Sequence, residues 1–218
     1  MNELYIGTGK RFARELIANR RRLGHRVYCI SGQDGEDTLQ VDWHTVTAAD
    51  IHKIIRKLPD LDLVVFNQNA SSLSAACFEH NQYPTLDLWR QVDHWQQSYF
   101  VSCQLPFALI HGLGNKLNQH SHIAWVLSSM ITDHKHDEQY ADYIAYKYQN
   151  YMIMKNFAHN HAGCFFGIDP GQITESIVSD ADFATKVDQY NRLLNQPDLN
   201  GRVWMLDGTV SKTTDLFG

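Results

Sequence analysis

Basic residues are in the minority in this chain. Nineteen Lys and Arg stand against 24 Asp and Glu, for a formal charge of −5 over 218 residues. The basic footprint of a nucleic-acid binder is missing, and so is a polybasic patch for anionic membranes. Cysteine is scarce: Cys29, Cys77, Cys103 and Cys164 lie far apart, with no CxxC pair. That speaks against a zinc knuckle or a disulfide framework and fits a reducing compartment. No apolar run approaches the roughly 18 residues of a membrane span. The opening MNELYIGTGKRFARELI has no long apolar core of a signal peptide, so a cytoplasmic protein is expected. HExxH, GxxxxGK[ST] and GxSxG are all absent, which argues against a zincin, a P-loop and an α/β-hydrolase. The twelve histidines fall in polar stretches such as His120/His122, His134/His136 and His159/His161, and no metal site is expected.

What remains is ordinary globular material, 44% hydrophobic and 20% charged. Short apolar runs alternate with amphipathic stretches. Strands are predicted at 4–6, 27–30, 38–41, 63–66, 123–127, 164–168 and 202–206. Helices are predicted at 10–23, from a capping-box signal at Thr47 and Asp50, and at 85–113, 137–160 and 183–194. Gly24 occupies the position of a helix-ending glycine. Strict alternation of this kind predicts one α/β domain over 1–218. It is a doubly wound Rossmann-type fold, with a parallel sheet of about seven strands flanked by helices. Ligands of such sheets bind beyond the carboxyl ends of the strands.

Three constellations fall at those ends. Gly7-Thr8-Gly9-Lys10-Arg11 is a glycine-rich turn entering a helix, able to cradle phosphate on backbone N–H groups. Tyr143 and Lys147 are four apart on one helical face, where an ammonium would lower the phenol's pKa and suit it to proton transfer. Tyr151 and Lys155 repeat that spacing. Ser128-Ser129 ends the fifth strand, where a hydroxyl can bind a substrate carbonyl.

Together these residues resemble the short-chain dehydrogenase/reductase family. Gly7 to Ala13, including Phe12, resembles its TGxxxGxG turn, and Asp42 its adenine-contacting acid. Gln68-Asn69-Ala70-Ser71 resembles NNAG, and the run Val101 to Phe107 resembles VNxxxPF. Ser129, Tyr143 and Lys147 resemble the catalytic trio, with Tyr143 rather than Tyr151 in register. Pro170, Gly171 and Ile173 fall in a PGxxxT-like loop, and Asn200 to Gly208 resembles the C-terminal TGxxxxxDGG. Arg11 and the Asn69-Ala70-Ser71 run are similar to the pteridine-reductase versions of these motifs. Ser102 replaces the helix-four Asn of the proton relay, and the segment between Thr174 and Asn200, where a substrate lid usually lies, is short.

The resemblance implies an oxidoreductase that interconverts a small carbonyl or imine and its reduced form. Tyr143 serves as proton donor, Lys147 as its electrostatic partner and ribose contact, Ser129 as the carbonyl's partner, and Ser102 as a relay member. A dinucleotide-binding sensor or scaffold with little turnover is the alternative, and pterins are an alternative substrate class. Ser31, at the end of the second strand, stands where an acid would bind the ribose 2′-OH of NAD(H). With Lys10 and Arg11 nearby, NADP(H) is the preferred cofactor, with NAD(H) as the alternative. A homodimer or homotetramer is expected through the fourth and fifth helices, which carry Trp89, Trp95, Tyr99 and Phe100, then Tyr148, Tyr151, Met152 and Phe157.

Overall fold

Seven strands pair in parallel in the order β3-β2-β1-β4-β5-β6-β7. The structure is a computed structural model and describes residues 1–9, 11–32, 37–43, 45–68, 88–131, 141–171, 179–196 and 198–212. The strands are β1 (Asn2–Ile6), β2 (Arg26–Ser31), β3 (Thr38–Gln40), β4 (Leu63–Phe66), β5 (His122–Val126), β6 (Cys164–Asp169) and β7 (Val203–Met205). Each lies within a residue or two of its predicted run. The helices are α1 (Arg11–Arg22), α2 (Ala48–Lys57), α3 (Leu88–Tyr99), α4 (Leu105–Gly112), α5 (Ala141–Asn160) and α6 (Asp180–Leu193).

The strand pattern explains the two cores. Leu4, Ile6, Val64 and Phe66 point to one face, where they meet α2, α4 and α5 through Ile51, Ile55, Leu109, Tyr151 and Phe157. Tyr5, Leu63 and Val65 alternate to the other face and meet Phe12, Leu16 and Ile17 of α1 and Phe183, Val187 and Tyr190 of α6. Burial on both faces is why β4 reads Leu-Val-Val-Phe without a polar residue. The order reverses between β1 and β4, which opens a crevice at their carboxyl ends. Among the described residues no helix is long and apolar enough to cross a membrane.

Local signals hold at both ends of helices. Thr47 and Asp50 form the reciprocal capping box at the start of α2. Gly24 has φ 85 after α1 and donates to the Arg21 carbonyl.

The predicted helix over 85–113 is helical from Leu88 to Gly112 among the described residues, but a π turn sits inside it, and that turn has a covalent cause. Residues Phe100–Gln104 form a π turn in which the Leu105 N–H reaches back to the Phe100 carbonyl. Pro106 has no N–H to give the Ser102 carbonyl four residues earlier. The side-chain amide of Asn150 on α5 supplies that hydrogen bond instead, at 2.8 Å. A π turn of this kind draws on a partner 48 residues away, which is why periodicity alone reads the stretch as uniform α-helix.

Candidate functional site

The glycine turn is built by crowding. Gly7 follows β1 with φ 83, and a Cβ there would lie 2.3 Å from the Gln68 Cα. Only glycine lets β1 and the end of β4 pass so closely. The Asn67 side chain donates to the Gly7 carbonyl at 2.9 Å, and the Gly7 N–H donates to Ile30 at 3.0 Å. Gly9 is exposed at the mouth of the crevice. Beyond it the first-turn N–H groups of α1 lack helical acceptors. Phe12 contributes its backbone there, since its ring is buried in the core under α1. Gln68, also buried, has an Oε1 with no hydrogen-bond partner; as an acceptor it suits a donor such as a sugar hydroxyl rather than a phosphate. A phosphate-bearing group fits the glycine backbone at Gly7 and Gly9 and the first turn of α1.

Arg11 does not join Ser31. Its Nε donates to Glu15 at 2.6 Å, its Nη2 donates to Asp180 at the start of α6, and its guanidinium lies 4.3 Å from the Phe183 ring centre. That places it on the α1–α6 face of the sheet. Ser31 is buried at the end of β2, and its carbonyl accepts from Val41 at 2.9 Å. Gly32 next to it lies beneath the Trp43 indole, whose Nε1 would be 2.9 Å from a Cβ at this position. Gly32, Gln40, Val41, Asp42 and Trp43 surround an open hollow of about 460 Å³. Asp42 is exposed at its rim and accepts from the Thr45 hydroxyl at 3.0 Å. Sequence reading did not single out Trp43, the wall of this hollow.

The second half of the site gathers at the carboxyl ends of β5 and β6. Lys147 is 4% exposed, and its ammonium donates to the Val126 carbonyl at 2.7 Å. Its Nζ lies 5.6 Å from the centre of the Tyr143 ring. Burial pulls Lys147 down to about 8, against the opposing pull of Cys103 and Asp169. Burial raises the Tyr143 phenol above its ordinary value, a hydrogen bond with Ser128 lowers it, and Asp169 raises it again. The expected lowering of the phenol by Lys147 is not among these effects: the group that lowers it is Ser128, and the loss of water around the phenol dominates.

The serine at the phenol is Ser128, whose oxygen also accepts from the Met130 N–H at 3.3 Å. The Ser129 backbone lies in a short turn, Ser129–Ile131, and its side chain is outside the described part of the structure. Ser102 is buried in the π turn, its carbonyl held by Asn150. Cys103, next to it, is buried beside Lys147 with its thiol pushed up to about 12.

Pro170 and Gly171 follow β6. Gly171 has φ 62, its N–H donates to Asp169 Oδ1 at 3.0 Å, and Lys186 of α6 donates to the Pro170 carbonyl at 2.8 Å. Lys10, Asn69, Ala70, Ser71 and Ile173 lie outside the described residues. Tyr151 and Lys155, the competing pair, are not at this site, because Tyr151 is fully buried in the core and Lys155 donates to the Gly201 carbonyl. Of the aromatics and methionine expected at a helical interface, Trp95, Tyr148 and Met152 are exposed, whereas Tyr151 and Phe157 face the sheet.

Compared by sequence, the chain matches no family model and no curated protein. Compared by structure, it is similar to a short-chain dehydrogenase from Salmonella enterica serovar Typhi. The TM-score is 0.73 and the identity 16%, over 94% of this chain and 96% of that one. A double variant of a Serratia marcescens short-chain dehydrogenase/reductase gives 0.72 and 13%, over 94% of each chain. A Shigella flexneri 2a chain described as a short-chain dehydrogenase, complexed with NADP, gives 0.61 and 16%, over 78% of this chain and 76% of that one. The resemblance drawn from the motifs is thus borne out at the level of the fold.

Proposed function

We propose that this chain is a short-chain dehydrogenase/reductase, an NADP(H)-dependent oxidoreductase acting on a small carbonyl or imine. The observation that carries the reading is the meeting of Tyr143, Lys147 and Ser128 on the same sheet edge as the Gly7 cradle. The nicotinamide, when bound, supplies or accepts hydride. The chain supplies the rest. The Gly7 turn and the start of α1 hold the phosphates, and the hollow by Asp42 and Trp43 takes the adenosine end. Tyr143 passes its proton to the carbonyl oxygen, with Ser128 or its neighbour Ser129 holding that oxygen. Lys147, pulled down to about 8 by burial, returns a proton to the phenol and contacts the ribose. The preference for NADP(H) over NAD(H) rests on a hydroxyl, Ser31, where a carboxylate would repel the 2′-phosphate. The NADP complex of the Shigella chain supports it. Arg11 would have to exchange Asp180 for that phosphate to take part.

Consumption of NADPH and NADH, followed across aldehydes, ketones, quinones and pterins, tests the reading. Turnover with at least one class is expected, with tighter binding of NADPH and a fall of about 100- to 10,000-fold in Tyr143→Phe. Dinucleotide binding without turnover would favour the sensor or scaffold reading, for which the Asn150-held Ser102 carbonyl is the supporting observation. Binding of neither cofactor would end both. We propose in addition that copies associate through the α3 and α5 faces bearing Trp95, Tyr148 and Met152; a monomer in light scattering at micromolar concentration would count against this.

A further inference from the structure

Asp169 ends β6, 1% exposed, with one carboxylate oxygen fixed by the Gly171 N–H. The ladder places it next to the proton-transfer pair. Val126, whose carbonyl holds Lys147, is opposite Ile168, and Asp169 is the next residue on that strand. Both members of the pair feel its charge. Among the described residues the other group that acts on Lys147 is the Cys103 thiol of the π turn, which burial holds protonated, and the β5 contact is a backbone carbonyl. Facing Tyr143 are Ser128 and Asp169. Nearby, Lys186 is occupied by the Pro170 carbonyl. A buried carboxylate is costly unless it is hydrogen-bonded and balanced by positive charge nearby.

We propose that Asp169 is a positioning residue of this pair, its charge keeping Lys147 an ammonium beside the phenol. The role rests on the oxidoreductase reading. In reduction the Tyr143 O–H bond breaks as its proton joins the carbonyl oxygen, the carbonyl carbon takes hydride from the reduced nicotinamide, which is oxidised, and the phenolate left behind is balanced by the Lys147 charge. A carboxylate beside the lysine sustains that ammonium, while its direct effect on the phenol opposes ionisation.

The test uses the protein alone, so it does not depend on turnover. The Lys147 ammonium is titrated by NMR of isotope-labelled lysine, its signal assigned by loss in Lys147→Met. Wild type is expected to titrate near pH 8. Asp169→Asn, which keeps an oxygen for the Gly171 N–H, should move that midpoint down by on the order of one pH unit. An unmoved or raised midpoint overturns the proposal. Should the Asn variant fail to fold, Asp169→Ser offers the same acceptor without charge. The coupling can also be read from the other side, as a rise in the Asp169 carboxyl midpoint in Lys147→Met. No rise there overturns the proposal equally. With a substrate in hand, the basic limb of the reduction profile should move down in Asp169→Asn together with the lysine midpoint. If the lysine midpoint moves while no carbonyl is turned over, the electrostatics stand and the oxidoreductase reading fails.

Discussion

The sheet carries a buried carboxylate, a buried cation and tyrosine at each of its ends, and the two sets behave oppositely. At the amino end Arg20 of α1 forks onto Glu3 of β1 with several hydrogen bonds, Tyr5 donates to Glu3 at 3.1 Å, and Arg20 also reaches Asn191. Tyr190 and His25 close the group. At the carboxyl end, among the described residues, Lys147 donates to a backbone carbonyl, and Asp169 acts on it through its charge. A guanidinium in full contact with its carboxylate stays charged at every accessible pH. An ammonium left with a carbonyl titrates near pH 8. The first arrangement holds elements together, and the second can exchange a proton. The same residue types are therefore structural or chemical according to whether opposite charges touch.

The largest expected effect breaks the amino-end set. Arg20→Met leaves Glu3 buried without its cation, and removal of one partner of a buried pair costs about 3–5 kcal/mol. Urea unfolding should show that loss, while dinucleotide affinity in the folded fraction stays within a factor of about two, because the site lies at the other end of the strands. Unchanged stability would mean that the amino-end set is not the clamp described.

The sheet and one pair of this contrast, Tyr143 and Lys147, are legible in the sequence. Alternating apolar runs predict the seven strands, because a parallel sheet covered on both faces demands them. The i, i+4 spacing of Tyr143 and Lys147 places them on one face. What escaped depends on pairing across distance. Arg11 pairs with a residue 169 positions on, and Ser102 with one 48 positions on. Asp169 reads as part of a turn until β5 and β6 are known to be neighbours. Arg20 and Glu3, in turn, look like surface charges of an amphipathic helix and an edge of a strand. Their burial follows only from α1 packing against α6.

Next in size is the opposite sign at the carboxyl end. Lys147 falls from an ordinary 10.5 to about 8 in the folded chain. Between those values the unfolded chain binds the proton that the folded chain has lost, so stability rises with pH across that window. Below about pH 8 the whole cost of burial is present. Lys147→Met removes it and should gain about 1–3 kcal/mol near pH 7, net of the lost bond to Val126. The gain should vanish by about pH 10.5, while turnover is lost throughout. Unfolding midpoints at pH 7 and pH 10 decide this. A Met variant that is less stable at both would place Lys147 with the structural set.

The smallest effect sharpens the comparison most, because one chemical change is made at both ends. Tyr5→Phe removes a hydroxyl that donates to the buried Glu3 and joins Tyr190. A hydrogen bond to a charged buried group contributes about 1.5–3 kcal/mol, and Arg20 remains to satisfy the carboxylate, so a loss near 1–2 kcal/mol is expected. Tyr143→Phe removes a hydroxyl bonded to Ser128, a neutral partner that is itself only half-buried and can turn to water. Its stability cost should stay under about 1 kcal/mol. In turnover the ranking inverts, since the Tyr5 hydroxyl lies at the amino end and delivers no proton to a substrate. Thermal unfolding and cofactor consumption measured on both variants give four numbers. Equal losses of stability and equal losses of turnover would erase the distinction between the two ends. A Tyr5→Phe protein that melts earlier but reacts as wild type, beside a Tyr143→Phe protein that melts as wild type but does not react, would establish it.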